Sequence, residues 1–386
     1  MNIIYITTSL DADDYIEFNK LWKVSLNPSN QNFHNKMIRS LSITNQIDVI
    51  SVRPFSRAKC NRRNLKAYDK KSGNITYHYL KISGGKLFRL SSLKSQAKAV
   101  VEQIITDESI ILTDTINPKC VSITNYLQKK FKKTAIGICT DSPSNITGTS
   151  KSYTLYLLKH CQKLDGFITL TEGLNILFNQ NNKKYMVFEG IVESQNNDEE
   201  VHVDGKYIFF GGALLPRYGV YNLIEAFKNI ENQDISLLIC GHHGNEEKIS
   251  EAITHDPRIK YLGTLPVKEV LVLEKNALVN INPRPFTQDL DRLSIPSKTL
   301  EYLSSGALTI SVHNTELEKT FENYAIWAKS GAPSDLNSAI KEAISMDETK
   351  RKQIAEEAKK VALENYSLEK TNEKISCFLT QFSKKK

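Results

Sequence analysis

Short apolar runs, each closed by a polar or glycine-containing turn, recur along the first half of the chain. Ile3 to Thr7, Ile47 to Val52, Thr76 to Ile82, Ile110 to Thr113, Ala135 to Thr140, Gly166 to Leu170 and Lys184 to Phe188 have the length and β-branched content of strands. Helical spacing falls between them: Phe33, Met37, Ile38 and Leu41, then about Leu90 to Thr106, then Tyr153, Leu157 and Leu158, then Thr171 to about Phe178. Thr8 to Asn30 reads as a long polar loop. Ser56 to Gly73, rich in Lys, Arg and Asn, reads as an exposed excursion. Strands that alternate with helices predict a doubly wound sheet.

Asn196 to Glu200 holds no apolar residue, which marks Ser194 to Asp204 as a linker. Beyond it the plan repeats. Tyr207 to Phe210, Ser236 to Cys240, Ile259 to Leu262, Ala277 to Ile281 and Leu308 to Val312 read as strands. Helices are expected around Leu223 to Phe227, Lys268 to Leu273, Ser334 to Ile344 and Glu348 to Leu363, with a last one from about Leu368 to Phe382.

The stretch from Ile281 to Gly306 is the densest in chemistry. Its strand ends in Asn282-Pro283-Arg284-Pro285, which cannot continue a strand. A polar loop follows, and Pro296 stands where a helix opens. A loop at the carboxyl end of a strand in an open α/β sheet faces ligand. A helix start offers N–H groups and part of a positive charge to an anion, and Lys298 and Arg284 add two full charges. Ser297, Lys298 and Glu301 share one helix face. A phosphate-seeking end with a carboxylate one turn deeper suits a nucleotide. A capped surface helix with an incidental Lys–Glu pair is the plainer alternative. Gly211-Gly212 and Arg217 form a second constellation: glycines let a backbone approach a phosphate, and Arg supplies a forked donor, though a tight turn explains the glycines as well. The spacing is not G-x-G-x-x-G. Asp114 and Asp141 close strands in the first half, where a carboxylate faces the ligand crevice; for Asp141 a loop-capping role is equally open.

At 386 residues, with 40% hydrophobic and 24% charged, the chain has the makeup of a soluble globular protein long enough for two cores. A net charge of +8 favours acidic partners. No basic run is interleaved with aromatics, so nucleic acid is set aside. Lys86, Arg89, Lys94 and Lys98, with Leu87, Phe88, Leu90 and Leu93 among them, can rest on an anionic membrane surface or belong to an ordinary amphipathic helix packed on the sheet. The six dispersed cysteines read as buried thiols of a reducing compartment, and His242-His243 as a loop pair with no metal role. The start reads as a strand and not as a signal peptide, and no run reaches the roughly 18 apolar residues of a membrane span. The expected location is cytoplasmic, peripheral at the inner face of the membrane.

The 281–306 stretch resembles the donor-binding segment of GT-B glycosyltransferases, specifically the retaining family 4 type of bacterial polysaccharide and capsule assembly. A branch of that family has a similar NPR…PSK…EYL…G run. The resemblance implies an α/β fold of two Rossmann-like domains facing across a cleft. Residues 1–195 would bind the acceptor, residues 205–365 the donor, and a C-terminal helix within 366–386 would pack back on the first domain. It implies transfer from a nucleotide diphospho-sugar, a UDP-sugar, to a lipid-linked polysaccharide or oligosaccharide acceptor, with retention at the anomeric carbon. No metal cofactor is implied; a cationic clamp of Arg217, Lys298 and the helix N-terminus would stabilise the departing diphosphate. By the same resemblance Gly211, Gly212, Arg217, Gly241, Arg284, Ser297, Lys298 and Glu301 hold the donor, Gly241 packing against the base and Glu301 contacting ribose. Asp141 would touch acceptor or sugar hydroxyls. The chain departs from the family pattern at Tyr218, where Lys is usual, at Leu293, eight residues before Glu301, where a second acid is frequent, and at Thr140, where His is frequent. Asp289 and Asp291 are out of register with that acid. The departure at Leu293 keeps open a degenerate partner subunit, and a nucleotide-sugar epimerase shares the two-domain plan.

Overall fold

A computed structural model describes the chain apart from residues 23–27, 57–63, 84–88, 146–148, 195–204, 242–243, 245 and 383–386. The linker beyond Ser194, the Lys86–Phe88 part of the basic stretch, His242-His243 and Cys60 lie outside the described residues. Two units divide the chain: Met1–Ile191 with Arg292–Ser294 and Leu368–Lys386, and Val192–Asp291 with Ile295–Ser367.

The first unit opens with β1 (Asn2–Thr7), α1 (Ala12–Asn19), α2 (Ser29–Leu41), β2 (Gln46–Ser51), β3 (Tyr68–Ser72) and β4 (Ile75–Tyr79). It continues through α3 (Arg89–Ile104), β5 (Ile110–Asp114), α4 (Pro118–Phe131), β6 (Ala135–Cys139), α5 (Lys151–Cys161), β7 (Gly166–Thr169), α6 (Glu172–Phe178) and β8 (Lys184–Val187). The sheet order is β3-β4-β2-β1-β5-β6-β7-β8, parallel throughout except for β3 against β4. Every residue of β5 and β6 is buried, as in a sheet covered on both faces.

Two expectations are corrected here. The polar segment 8–30 contains a helix: α1 is capped by Asp11, whose carboxylate accepts from Asp13 N, and Lys70 of β3 pairs with Asp11 and with Asp14 of that helix. The 56–73 excursion ends in an edge strand, β3, its YDKKS carrying no apolar alternation because its side chains are largely exposed.

The second unit runs β9 (Lys206–Gly211), α7 (Val220–Lys228), β10 (Ile235–Cys240), α8 (Glu246–His255), β11 (Ile259–Tyr261), α9 (Val267–Asn276), β12 (Val279–Asn282), α10 (Gln288–Leu293), α11 (Ser297–Leu303), β13 (Leu308–Val312), α12 (Thr315–Phe321), β14 (Ile326–Ala328), α13 (Pro333–Ser345) and α14 (Glu348–Tyr366). The end of α10 is grouped with the first unit, and α15 (Leu368–Thr380) belongs to it too. Its Ile375, Phe378 and Leu379 are buried, and Ser40 Oγ of α2 donates to the Leu368 carbonyl at 2.6 Å. The 285–296 segment is thus not all loop: QDLDRL forms the short helix α10, too brief for a periodic signal.

The second sheet is wholly parallel in the order β11-β10-β9-β12-β13-β14. Alternation along β9 splits its side chains between two cores. Ile208 and Phe210 join α7, α8 and α13 on one face; Tyr207 and Phe209 join Leu273 of α9 and Tyr302 of α11 on the other. The chain winds from β9 outward to β11, then returns beside β9 with β12 and winds the other way. This is the order 3-2-1-4-5-6 within the unit, and its reversal between β9 and β12 opens a crevice at the carboxyl ends of those strands.

Candidate functional site

The donor residues expected from the sequence gather at that reversal. Gly211 ends β9 and Gly212 follows it, Gly241 follows β10, Arg284 follows β12, and Ser297, Lys298 and Glu301 lie on α11. Arg217 sits in a single 3-10 turn, Pro216–Tyr218, after β9, with its guanidinium over the Tyr218 ring at 5.1 Å. Gly219 closes this turn with φ +79°, and a Cβ there would overlap the Pro283 carbonyl. The backbone beside Arg217 is therefore packed directly on the backbone beside Arg284.

The glycines serve close packing. Gly241 has φ +145°, and a Cβ on it would overlap the Gly212 carbonyl, so glycine is what lets the loops after β9 and β10 pass each other. Their N–H groups are used internally: Gly211 N donates to Tyr302 Oη at 2.9 Å, Gly212 N to the Cys240 carbonyl at 3.0 Å, and Gly241 N to the Gly263 carbonyl at 2.8 Å. Tyr302 thereby latches α11 to the end of β9. A second tie runs from Asn282, whose Nδ2 donates to Thr299 Oγ1 at 2.7 Å; the Thr299 and Ser311 hydroxyls are 2.8 Å apart. The end of β12, the start of α11 and the end of β13 are thus fixed to one another by buried hydrogen bonds.

Lys298 and Glu301 share a face, with Nζ 3.2 Å from Glu301 Oε1. A third member was not foreseen. Glu274 of α9 has a fully buried side chain, and its Oε1 accepts from Lys298 Nζ at 2.9 Å. The side chains of Lys298 and Glu301 are 29% and 31% exposed. Burial acts to lower the Lys298 pKa, but Glu274 and then Glu301 outweigh it and hold the ammonium well above the ordinary lysine range. Beside this triad, burial pushes the Cys240 thiol up to about 12, with Lys298 pulling the other way. Because α11 is only seven residues long, about two turns, side chains and not a helix field must supply most of the positive charge.

Residues 192–361 match the family described as glycosyl transferases group 1. The second unit carries a group 1 glycosyltransferase domain. The protein is a glycosyltransferase, and its two Rossmann-like units are those of the GT-B fold. Three solved structures are similar over nearly the whole chain. One, from E. coli, is described as trehalose-6-phosphate bound with UDP-2-fluoro glucose (TM-score 0.70, 11% identity, covering 100% of this chain and 99% of that one). Another is the sucrose-phosphate synthase of Thermosynechococcus elongatus (TM-score 0.70, 12% identity, 99% of each chain). A third is Anabaena Alr3699/HepE in complex with UDP (TM-score 0.67, 13% identity, 99% of this chain and 100% of that one). At such identities the likeness is one of fold. No curated protein matches the chain.

Within the glycosyltransferase domain Asp291, two residues before Leu293, is occupied with structure. Its carboxylate accepts from Thr315 N at 2.8 Å, Thr315 Oγ1 at 2.6 Å and Asn314 Nδ2 at 3.2 Å, holding the start of α12. Asp141 lies in the first unit, after β6. Its carboxylate accepts from Ser142 N at 2.7 Å and Asn145 Nδ2 at 2.9 Å, so it caps its own turn. Asp114, at the reversal of the first sheet between β1 and β5, is buried beside His34 and accepts from Asn30 Nδ2 at 3.1 Å. Burial raises the Asp114 pKa, but His34 and the hydrogen bonds from Asn30 and from Ile116 N leave it below the usual carboxylate range. Among the described residues no helix is long and apolar enough to cross a membrane.

Proposed function

We propose that the protein moves a hexosyl group from a nucleoside-diphosphate sugar, a uridine one, onto a lipid-linked polysaccharide or oligosaccharide acceptor, with retention at the anomeric carbon. The observation that carries this reading is the Lys298–Glu301 pair beside the β9–β12 reversal of a glycosyltransferase domain. In this reading Arg217, Arg284 and Lys298 receive the diphosphate, and their charge stabilises it as it leaves, without a metal. Glu301 accepts from ribose hydroxyls, and Ser297 and the loops closed by Gly211, Gly212 and Gly241 shape the pocket for the rest of the nucleotide. The similar structures bound to UDP or UDP-2-fluoro glucose support the choice of nucleotide. The first unit takes the acceptor, with Asp141 near its hydroxyls. A polysaccharide acceptor anchored in lipid would bring the protein to an anionic membrane surface, where Arg89, Lys94 and Lys98 supply attraction.

Calorimetric titration with UDP tests the donor site. Glu301→Ala removes charged hydrogen bonds worth roughly 1.5–3 kcal/mol each, so affinity should fall about 10- to 100-fold. Equal affinity in the variant and the unsubstituted protein would remove Glu301 from the site. Hydrolysis of a panel of nucleotide sugars without acceptor then identifies the sugar.

A further inference from the structure

Glu274 is the one member of the Lys298 triad that does not lie on α11. It reaches the ammonium from α9, across 24 residues of sequence, and its buried neighbours on that helix, Val272 and Leu273, are apolar. An ionised carboxylate is costly to bury unless charge and hydrogen bonds are returned to it. Packing of α9 would be served by another aliphatic side chain at this position, so the carboxylate calls for a reason beyond packing. Lys298 supplies the charge, and its Nζ lies 5.4 Å from the centre of the Tyr302 ring. Glu301, three residues along the same helix, meets the same ammonium at 3.2 Å.

We propose, resting on the nucleoside-diphosphate site described above, that Glu274 is a positioning residue for donor binding: from α9 it fixes the Lys298 ammonium against Glu301, so that α11 presents cation and carboxylate to the donor as one set pair. An i,i+3 pair on a helix surface is by itself a loose contact whose side chains exchange rotamers. A third group on a different helix removes that freedom before the ligand arrives, which is where preorganised binding gains.

Among the described residues, the groups facing Lys298 are Glu274 from α9, Glu301 and Tyr302 from its own helix, and Cys240 from β10. Glu274→Gln keeps the size and an accepting oxygen but removes a charge. Burial then works mainly against Glu301, and Lys298 gives up its proton at a lower pH than in the unsubstituted protein. The experiment is titration of the full chain with UDP from pH 7.5 to 10, comparing the unsubstituted protein, Glu274→Gln, and the charge-neutral double variant Glu274→Gln/Lys298→Met. Titration of the ligand itself cancels in the ratio of affinities. The affinity of Glu274→Gln relative to the unsubstituted protein should fall about tenfold over that range, and the double variant's relative affinity should not change with pH. A flat ratio for Glu274→Gln, or the same fall in the double variant, overturns the positioning role while leaving the donor site in place. No UDP binding by the unsubstituted protein at any of these pH values overturns the donor-site reading and the inference with it.

Discussion

Lys298 carries two duties that pull mutational results in different directions. Removing it takes a cation from the donor edge and also strands the buried carboxylate of Glu274. Breaking a buried pair from one side costs about 3 kcal/mol or more, because the partner's lost hydration is no longer compensated. Lys298→Met should therefore lower stability by about that amount in urea unfolding, and Glu274→Gln/Lys298→Met should recover most of it. If the single variant is as stable as the unsubstituted protein, the contact contributes nothing to the fold. At this scale the sequence reading was uneven for a physical reason. Lys298 and Glu301 are three residues apart, so their shared face follows from helix geometry alone. Glu274 stands in VLVLEKN, where a Glu near the end of an amphipathic segment looks solvated. Its burial exists only once α9 and α11 are folded against the same sheet.

Elements built on continuous apolar runs could be placed from sequence, and several held by polar contacts could not. β5, β6, β9 and β10 are apolar runs covered on both faces. β3 is held instead by side chains: His78 of β4 lies 3.1 Å from Asp69 of β3 through Nδ1 and 3.1 Å from Asp48 of β2 through Nε2. Burial pulls the His78 pKa down, but Asp48 and Asp69 more than reverse this and the net direction is up. A histidine raised above its unfolded value, about 6.5, contributes stability that is complete below that pH and is lost as pH climbs through the folded value. The opening free energy of the β3 edge, measured by amide hydrogen exchange, should therefore fall from pH 6 to pH 8, and His78→Gln should flatten that dependence. An unaltered pH profile in the variant would mean that backbone pairing alone holds the strand. α10 escaped the sequence for a related reason. Its six residues are fastened by Asp291 to the start of α12, a contact that leaves no periodic trace.

At the scale of the molecule, the second unit is nearly contiguous in sequence while the first is assembled from distant parts. α15 supplies it with Ile375, Phe378 and Leu379, each fully buried apolar side chain being worth about 1.5–3 kcal/mol. Together they approach the stability of a whole domain, about 5–15 kcal/mol. A chain ending at Ser367 should therefore lose protease resistance within residues 1–191, and a peptide of residues 368–386 added in trans should restore it. Resistance equal to that of the full chain would show α15 to be an ornament of the fold.

The same arrangement bears on how the protein is made. N-terminal domains usually close while the rest of a chain is still being synthesised. Here Ser40 waits for Leu368, 328 residues later. At roughly 5–20 residues per second the ribosome needs about 15–65 s to bridge that gap. Throughout it the face of α2 that α15 will cover is bare on a nascent chain, so the unit made before its partner is the one more in need of a chaperone.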